Sequence, residues 1–397
     1  MKLFRKKYVL LFSFLICLQI IYFKEEFSKE NIIKIPKPET SSSIKSASLH
    51  SNSVIHLLNC NIKNNTVLII EPSGYHMECT PGYTKYFLDL GYNVDIIFEN
   101  SGINSLWLFN SLENIRLFTF YKLSTFSDYS EEFQLILKNY SYIILESTES
   151  SKNQTYEDLG LFKMNNTIFV VHEIEYFNST GISNIYNQNR IWSLGNIKNT
   201  LYVNPHYFGD IKIRNKNKRT KFFITSSPKR NYKDLVLAAK KMKNENLDFE
   251  IIVIGKEKIF SKKDLPGELK ENFQFKYRVK FKQLYKAVFS SDYIIINLYP
   301  NYKNNDIFRK ERLTGASQLA FGFLKPPLIH ESFAEFYNMS SNNSFLFDSH
   351  NFYEVMREAI LLSDEEYKNK QRNLIKLSNS LYKISMNNII KTLNSIL

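Results

Sequence analysis

Between Thr66 and Phe98 the chain reads TVLIIEPSGYHMECTPGYTKYFLDLGYNVDIIF, two apolar runs separated by a segment whose apolar residues recur every three or four positions. Near-continuous apolar runs fit strands covered on both faces, while Tyr83, Phe87 and Leu90 share one face of a helix that Gly91 stops. The pattern predicts a strand, a crossover helix and a second strand at 94–98, joined to the first by a right-handed connection. Similar apolar runs predict strands at 115–120, 142–146 and 167–172.

A basic polar run, IKIRNKNKRT from Ile211, interrupts this rhythm as a domain boundary would. The rhythm then restarts. Strands are predicted at 222–225, 249–254 and 294–298, with a helix over 232–243 between the first two, and RVKFKQLYKAVFSS reads as a strand followed by a helix. KERLTGASQLAFGFLKPPLI adds a small-residue helix ended by Gly322 and a strand led by Pro326 and Pro327. Ser363 and Glu366 form a capping box ahead of another helix, and NNIIKTLNSIL makes a last amphipathic one. The fold class is α/β: two Rossmann-like parallel-sheet domains, at 61–212 and 213–362, facing a central cleft, with C-terminal helices at 363–397. Such sheets take ligands at the carboxyl ends of their strands.

The N-terminus has a different pattern. Lys2, Arg5, Lys6 and Lys7 precede an uncharged stretch from Tyr8 to Phe23, followed by Lys24, Glu25 and Glu26. A cleaved signal peptide has a similar apolar run, but Gln19 to Phe23 offers no small-residue cleavage site. Residues 1–30 are therefore expected to be a cytoplasmic tail and signal-anchor transmembrane helix, and the Ser-rich stretch 31–60 a stem. That makes a single-pass type II membrane protein, lumenal in the Golgi or endoplasmic reticulum of a eukaryotic cell. Sequons at Asn64, Asn139, Asn153, Asn165, Asn178, Asn338 and Asn342 permit a glycoprotein without arguing for one.

Composition changes this picture little. The net charge of +13 suits an anionic partner or a Lys-rich solvated surface, and no basic-aromatic platform or zinc-finger spacing points to nucleic acid. Three cysteines allow a Cys60–Cys79 disulfide by count, which spacing alone cannot decide, and no Cys/His spacing suits a structural metal.

Candidate chemistry centres on Thr314 and Gly315. At a helix N-terminus their free amides and the dipole attract anions, a glycine lets phosphate approach the backbone, and Arg309, Lys310 and Arg312 supply positive charge. The alternative is an ordinary helix–strand connector with surface charges. RKERLTGASQLAFGFLKPPLI resembles the signature near the end of the C-terminal domain of GT-B glycosyltransferases of the family 1/4 type, and SSPKRNYKDLVLAAKK is similar to their second donor loop. The resemblance spans roughly residues 66 to 360. It implies that 61–212 binds acceptor and 213–362 the nucleotide sugar, with Lys229, Arg230, Lys233, Arg312, Thr314 and Gly315 on the donor phosphates. Gly74, Tyr75, His76, Met77 and Glu78 would then face the acceptor, and His172 the cleft. The Glu-x7-Glu pair of the retaining branch is replaced by Arg309 and Ser317.

The function this implies is metal-independent transfer of a hexose-type sugar from a nucleotide sugar to a glycan, protein or lipid acceptor, with no cofactor. No Asp-x-Asp occurs in the chain. An inverting reaction needs a general base, for which His76, Glu78, His172 and Glu173 are candidates, His172 and Glu78 first. Two alternatives are a catalytically silent, carbohydrate-binding accessory subunit of the same fold and a nucleotide-sugar epimerase.

Overall fold

The computed structural model describes residues 52–72, 76–99, 108–120, 130–148, 153–174, 177, 188–228, 230–256, 258–300, 302, 305–310 and 312–396. The expected anchor at 1–30, most of the stem, and Gly74, Tyr75 and Lys229 lie outside them. Among the described residues no helix is long and apolar enough to cross a membrane.

The first lobe carries strands β1 (Asn52–Ser53), β2 (Thr66–Glu71), β3 (Asn93–Glu99), β4 (Ile115–Phe120), β5 (Tyr142–Leu145), β6 (Thr167–Val171), β7 (Ile191–Ser193) and β8 (Leu201–Tyr202). Its helices are α1 (Val54–Leu58), α2 (Thr80–Asp89), α3 (Ser130–Leu137) and α4 (Asn153–Asp158). The eight strands form one parallel sheet in the order β1-β4-β3-β2-β5-β6-β7-β8. The second lobe runs β9 (Thr220–Ser226), α5 (Tyr232–Asn244), β10 (Phe249–Gly255), β11 (Phe273–Tyr277), α6 (Phe281–Ser290), β12 (Tyr293–Ile296), α7 (Gly315–Gly322), β13 (Pro327–His330), α8 (Glu331–Ala334), β14 (Phe345–Phe347) and α9 (Phe352–Leu361). Its six parallel strands take the order β11-β10-β9-β12-β13-β14. A 33-residue helix, α10 (Asp364–Ile396), ends the chain.

In both sheets the first long strand lies beside the fourth, so the strand order reverses between β2 and β5 and again between β9 and β12. Each reversal leaves a crevice at the carboxyl ends of the strands. Buried apolar faces hold the lobes together: one continuous core joins Ile69, Tyr83, Phe87 and Trp192 of the first lobe to Phe223, Ile294 and Leu319 of the second and to Leu374 and Leu381 of α10. The outer faces of the two sheets close over separate cores.

The segment between the lobes is part of that shared core. Tyr86 donates to the Asn204 carbonyl at 2.6 Å, and the Asn204 amide donates to Ser385 Oγ at 2.9 Å. His206 sits between Asn204 Oδ1 at 3.0 Å and Ser378 Oγ at 2.7 Å. Gly82 of α2 and Gly322 of α7 press on it from the two lobes. A Cβ on Gly82 would lie 2.5 Å from Pro205 Cα, and one on Gly322 would lie 1.9 Å from Phe208 Cδ2 and 3.0 Å from the His206 carbonyl oxygen. Part of the basic run that follows is spent on acceptors within the second lobe. Lys216 Nζ donates to the carbonyls of Ile360 and Leu362 at the end of α9, at 2.5 and 2.6 Å, and Asn217 donates to Asp292.

Several expectations change. The strand expected in RVKF lies just before it, because Phe273, Phe275 and Tyr277 alternate with exposed residues on an edge strand and Arg278, at φ 51°, ends it. Strands β1, β7, β8 and β14 are two or three residues long, too short to show a period. The two C-terminal helices are one, because the buried stripe of α10 includes Gln371, Ser385 and Thr392, which break the apolar pattern. The capping box is present: Ser363 Oγ donates to Glu366 Oε2 at 2.6 Å and the Glu366 amide returns to Ser363 Oγ. Cys60 and Cys79 are both free thiols.

Burial pushes His206 down from 6.5 to about 4. A ring kept neutral in the fold and protonated in the unfolded chain contributes stability above pH 6.5 that is lost as pH falls towards 4. The loss is expected to reach about 3 kcal/mol below that window. His206→Gln should flatten the dependence of the urea midpoint on pH between 6.5 and 4; an unaltered slope would remove His206 as its cause.

Candidate active site

Polar side chains appear where the apolar strands of the first lobe run out. Glu71 closes β2, Glu146 and Ser147 follow β5, and His172 and Glu173 follow β6, so the strand register places them along the crevice. Glu71 and Glu146 are wholly buried. Ser147, held at φ 58°, donates to Glu71 Oε2 at 3.0 Å, and Thr80 of α2 donates to Glu146 Oε2 at 2.6 Å. Burial, with Glu71 alongside, pushes the Glu146 carboxyl well above its usual range. The turn that leads into α2, closed by the Cys79 amide on the His76 carbonyl at 2.7 Å, brings His76 over His172. The two rings stack with centroids 3.8 Å apart and planes 10° from parallel.

These groups differ in what protonates them. Burial lowers His76, but Glu71 and Glu173 pull it back towards the charged form. His172 is held well below its usual range by burial and by His76. Glu78 is pushed up to about 8, chiefly by burial, and its Oε2 is buried without a partner. Cys79 sits at the N-cap of α2, yet burial and the carboxyls of Glu78, Glu146 and Glu71 raise it far above a reactive thiol.

The second lobe presents cations. Thr314 caps α7: its hydroxyl accepts from the Ala316 amide at 3.4 Å, and its own amide donates to Tyr337 at 3.2 Å. A Cβ on Gly315 would meet nothing within 4 Å, so the space beside that residue is open, while Ala316, Ser317 and Gln318 are buried. Arg230, on the loop between β9 and α5, is buried. Its Nη2 lies 3.5 Å from Thr314 Oγ1, while Nη1 is buried with no acceptor. Arg312 lies over the Phe308 ring at 4.7 Å and Arg230 approaches the same ring at 5.8 Å. Arg312 forms an ion pair with Glu173 across the crevice.

The expected donor residues therefore divide. Arg230, Arg312, Thr314 and Gly315 come together. Lys233 is exposed in the first turn of α5, Lys310 is exposed, and Arg309 is taken by Asp306 at 2.9 Å. Ser317, at one of the replaced glutamate positions, is buried with its hydroxyl on the Thr314 carbonyl at 2.7 Å. Among the described residues no group of three or more His, Cys, Asp or Glu side chains could hold a metal ion. Sequence reasoning missed Glu71, Glu146, Thr80, Phe308 and Tyr337. The carboxyls carried a usable signal, since each directly follows a buried apolar run on one of the two strands flanking the reversal.

No protein-family model matches the chain, and no curated protein matches it. Solved structures do. HepE of Anabaena, crystallised in complex with UDP-glucose, superposes with a TM-score of 0.53 at 15% identity, covering 83% of this chain and 99% of that one. A glycosyltransferase from Rickettsia africae gives 0.51 at 14%, covering 84% and 99%. At these identities the likeness is one of fold: two parallel α/β lobes in the GT-B arrangement.

Proposed function

We propose that this GT-B chain is a glycosyltransferase that moves a sugar from a nucleoside-diphosphate sugar to a hydroxyl of a glycan, protein or lipid. One observation carries the proposal. Arg230 buries a guanidinium with Nη1 unpaired, beside the capped N-terminus of α7 and a second arginine. A buried charge without a partner is costly, and what completes this one is an anion. A diphosphate fits: two guanidinium groups and the positive dipole end of α7 neutralise the charge that grows on the leaving group. HepE binds UDP-glucose, which makes uridine diphosphate the first probe.

The first lobe supplies the proton acceptor. We assign the base to His76 rather than to His172 or Glu78. Burial and the neighbouring His76 hold His172 well below its usual range, which makes it a poor proton acceptor, and Glu78, pushed up to about 8, holds its proton at neutral pH. His76 has Glu71 and Glu173 to stabilise the imidazolium that forms as the acceptor hydroxyl attacks. This constellation favours a working transferase over a silent subunit. The kcat/KM profile is expected to fall on the acid side as the His76 imidazole becomes protonated, and His76→Ala should cost about 100- to 10,000-fold in kcat with the acid limb gone. An acid limb that persists in that variant would assign the base elsewhere.

Thermal unfolding with UDP, GDP, ADP and CDP tests the donor site. A ligand at about one hundred times its Kd stabilises the native state by about 2.7 kcal/mol, so the matching diphosphate should raise Tm. No rise with any of them, or an equal rise in Arg230→Met, would overturn the assignment. Because fixed cations supply the charge, turnover is expected to survive EDTA; activity lost to EDTA and restored by a divalent cation would refute the metal-independent part.

The anchor at 1–30 belongs to the same proposal, carried by its basic flank and apolar run. Asn64, Asn139, Asn165, Asn338 and Asn342 are all exposed. A lumenal chain should lose mass on endoglycosidase treatment and resist alkaline carbonate extraction; release by carbonate would remove the anchor.

A further inference from the structure

The loop that carries Arg230 is held from beneath by the sheet. Asn297 follows Ile296, the last residue of β12, and is wholly buried. Where β12 pairs with β9, Ile295 lies opposite Ile224, so two residues further on Asn297 stands level with Ser226, the last residue of β9. Alternation puts it on the face of Tyr293 and Ile295, which α5 covers with Leu235 and Ala238. From there its Nδ2 donates to the Asn231 carbonyl at 2.9 Å. Asn231 is the residue after Arg230 and the N-cap of α5, its side chain accepting from the Asp234 amide at 3.4 Å. The other end of the loop is fixed by Tyr232, whose hydroxyl accepts from the Ser227 amide at 2.7 Å, and the Arg230 amide closes on the Ser227 carbonyl at 3.2 Å.

We propose that Asn297 is a positioning residue for the donor site: by holding the backbone one residue beyond Arg230, it sets where the buried guanidinium stands beside Thr314 and α7. The guanidinium cannot place itself. Its Nη2 reaches Thr314 Oγ1 only at 3.5 Å, the outer limit of a hydrogen bond, so its position comes from the backbone behind it. Nor does α5 need the bond on Asn231, because an N-cap carbonyl already accepts the first hydrogen bond of its own helix. Asn297 is meanwhile a costly residue to bury here. The Asn231 carbonyl can only accept, which fixes Nδ2 towards it and leaves Oδ1 buried with no donor. A leucine has nearly the same shape and no orphaned oxygen, so stability alone would favour it. The amide is explained by the loop it holds.

The inference rests on the donor assignment above, and its test separates the two. Calorimetry with UDP compares the full chain as parent, Asn297→Leu, Arg230→Met and the double variant. Asn297→Leu is expected to bind about tenfold more weakly than the parent, with no fall in its urea midpoint. The double variant should bind no more weakly than Arg230→Met, because with the guanidinium gone the loop has nothing left to place. A further loss in the double variant would mean that Asn297 acts on the ligand by itself, and unaltered affinity in Asn297→Leu would mean that the loop holds without it; either result overturns the assignment. So does a lower urea midpoint with affinity kept, the mark of a packing role. If Asn297→Leu does not fold, Asn297→Ala is taken through the same cycle. If the parent binds none of UDP, GDP, ADP and CDP, the donor assignment fails instead, and the placement of Arg230 is read without ligand. Phenylglyoxal, which modifies accessible guanidinium groups, should label Arg230 about tenfold faster in Asn297→Leu than in the parent, as followed by mass spectrometry of its peptide. Equal rates overturn the positioning role.

Discussion

Arg230→Met is expected to fold normally and to bind nucleoside diphosphate at least about a hundredfold more weakly than the parent. The arginine is buried, its contact to Thr314 is long at 3.5 Å, and Nη1 has no acceptor. Burial lowers its basicity, and like-charge repulsion from Arg312 adds to that. The ligand-free protein thus carries a desolvated cation it does not need for folding. A methionine fills similar space without the charge, so the apo protein should be as stable as the parent or more stable by about 1–3 kcal/mol. Calorimetry with UDP and urea unfolding of the same samples read the two halves. A variant that lost stability and kept its affinity would make Arg230 a packing residue and remove the main support for the anion site.

The largest effect on stability is expected at Gly82. A methyl there would stand 2.5 Å from Pro205 Cα and 2.6 Å from its carbonyl carbon, both backbone atoms of a segment fixed by Tyr86, Ser385 and Ser378. Neither α2 nor that segment can retreat without breaking those bonds. Gly82→Ala should therefore cost about 3 kcal/mol or more, at the upper end of overpacking. Gly322→Ala meets Phe208 instead, a ring already enclosed by Tyr285 at 5.5 Å and Phe323 at 5.2 Å. Both variants should unfold at lower urea concentration than the parent. A loss below about 1 kcal/mol for Gly82→Ala would mean that the lobes separate easily.

These glycines mark the limit of what the sequence alone disclosed. The helix that opens at Gly315 was legible because its signals are local: Thr314 caps it, Gly322 ends it and Pro327 starts β13. The central strands were legible because burial on both faces leaves a nearly continuous apolar run, broken only by Asp95 in β3 and Glu250 in β10. Partners far apart in the chain were not. Glu173 stood among the candidate bases and Arg312 among the donor cations, but nothing local joins residues 139 positions apart. Lys233, Arg309 and Lys310 looked equivalent to Arg230 because composition does not tell an exposed cation from a buried one. Gly82 carries no local signal in the sequence, since the need for it comes from Pro205.

The last helix has a consequence for biosynthesis. Trp192, in β7, donates its indole hydrogen to Thr392 at 2.8 Å, and the Asn204 amide waits for Ser385. Both acceptors belong to α10, about two hundred residues further along the chain, and so are made long after the strands they complete. Although domains commonly fold as they emerge, the half translated first here stays unfinished until α10 has been made. A stop codon before Thr392 would leave that indole uncovered and give quality control a half-made protein to clear.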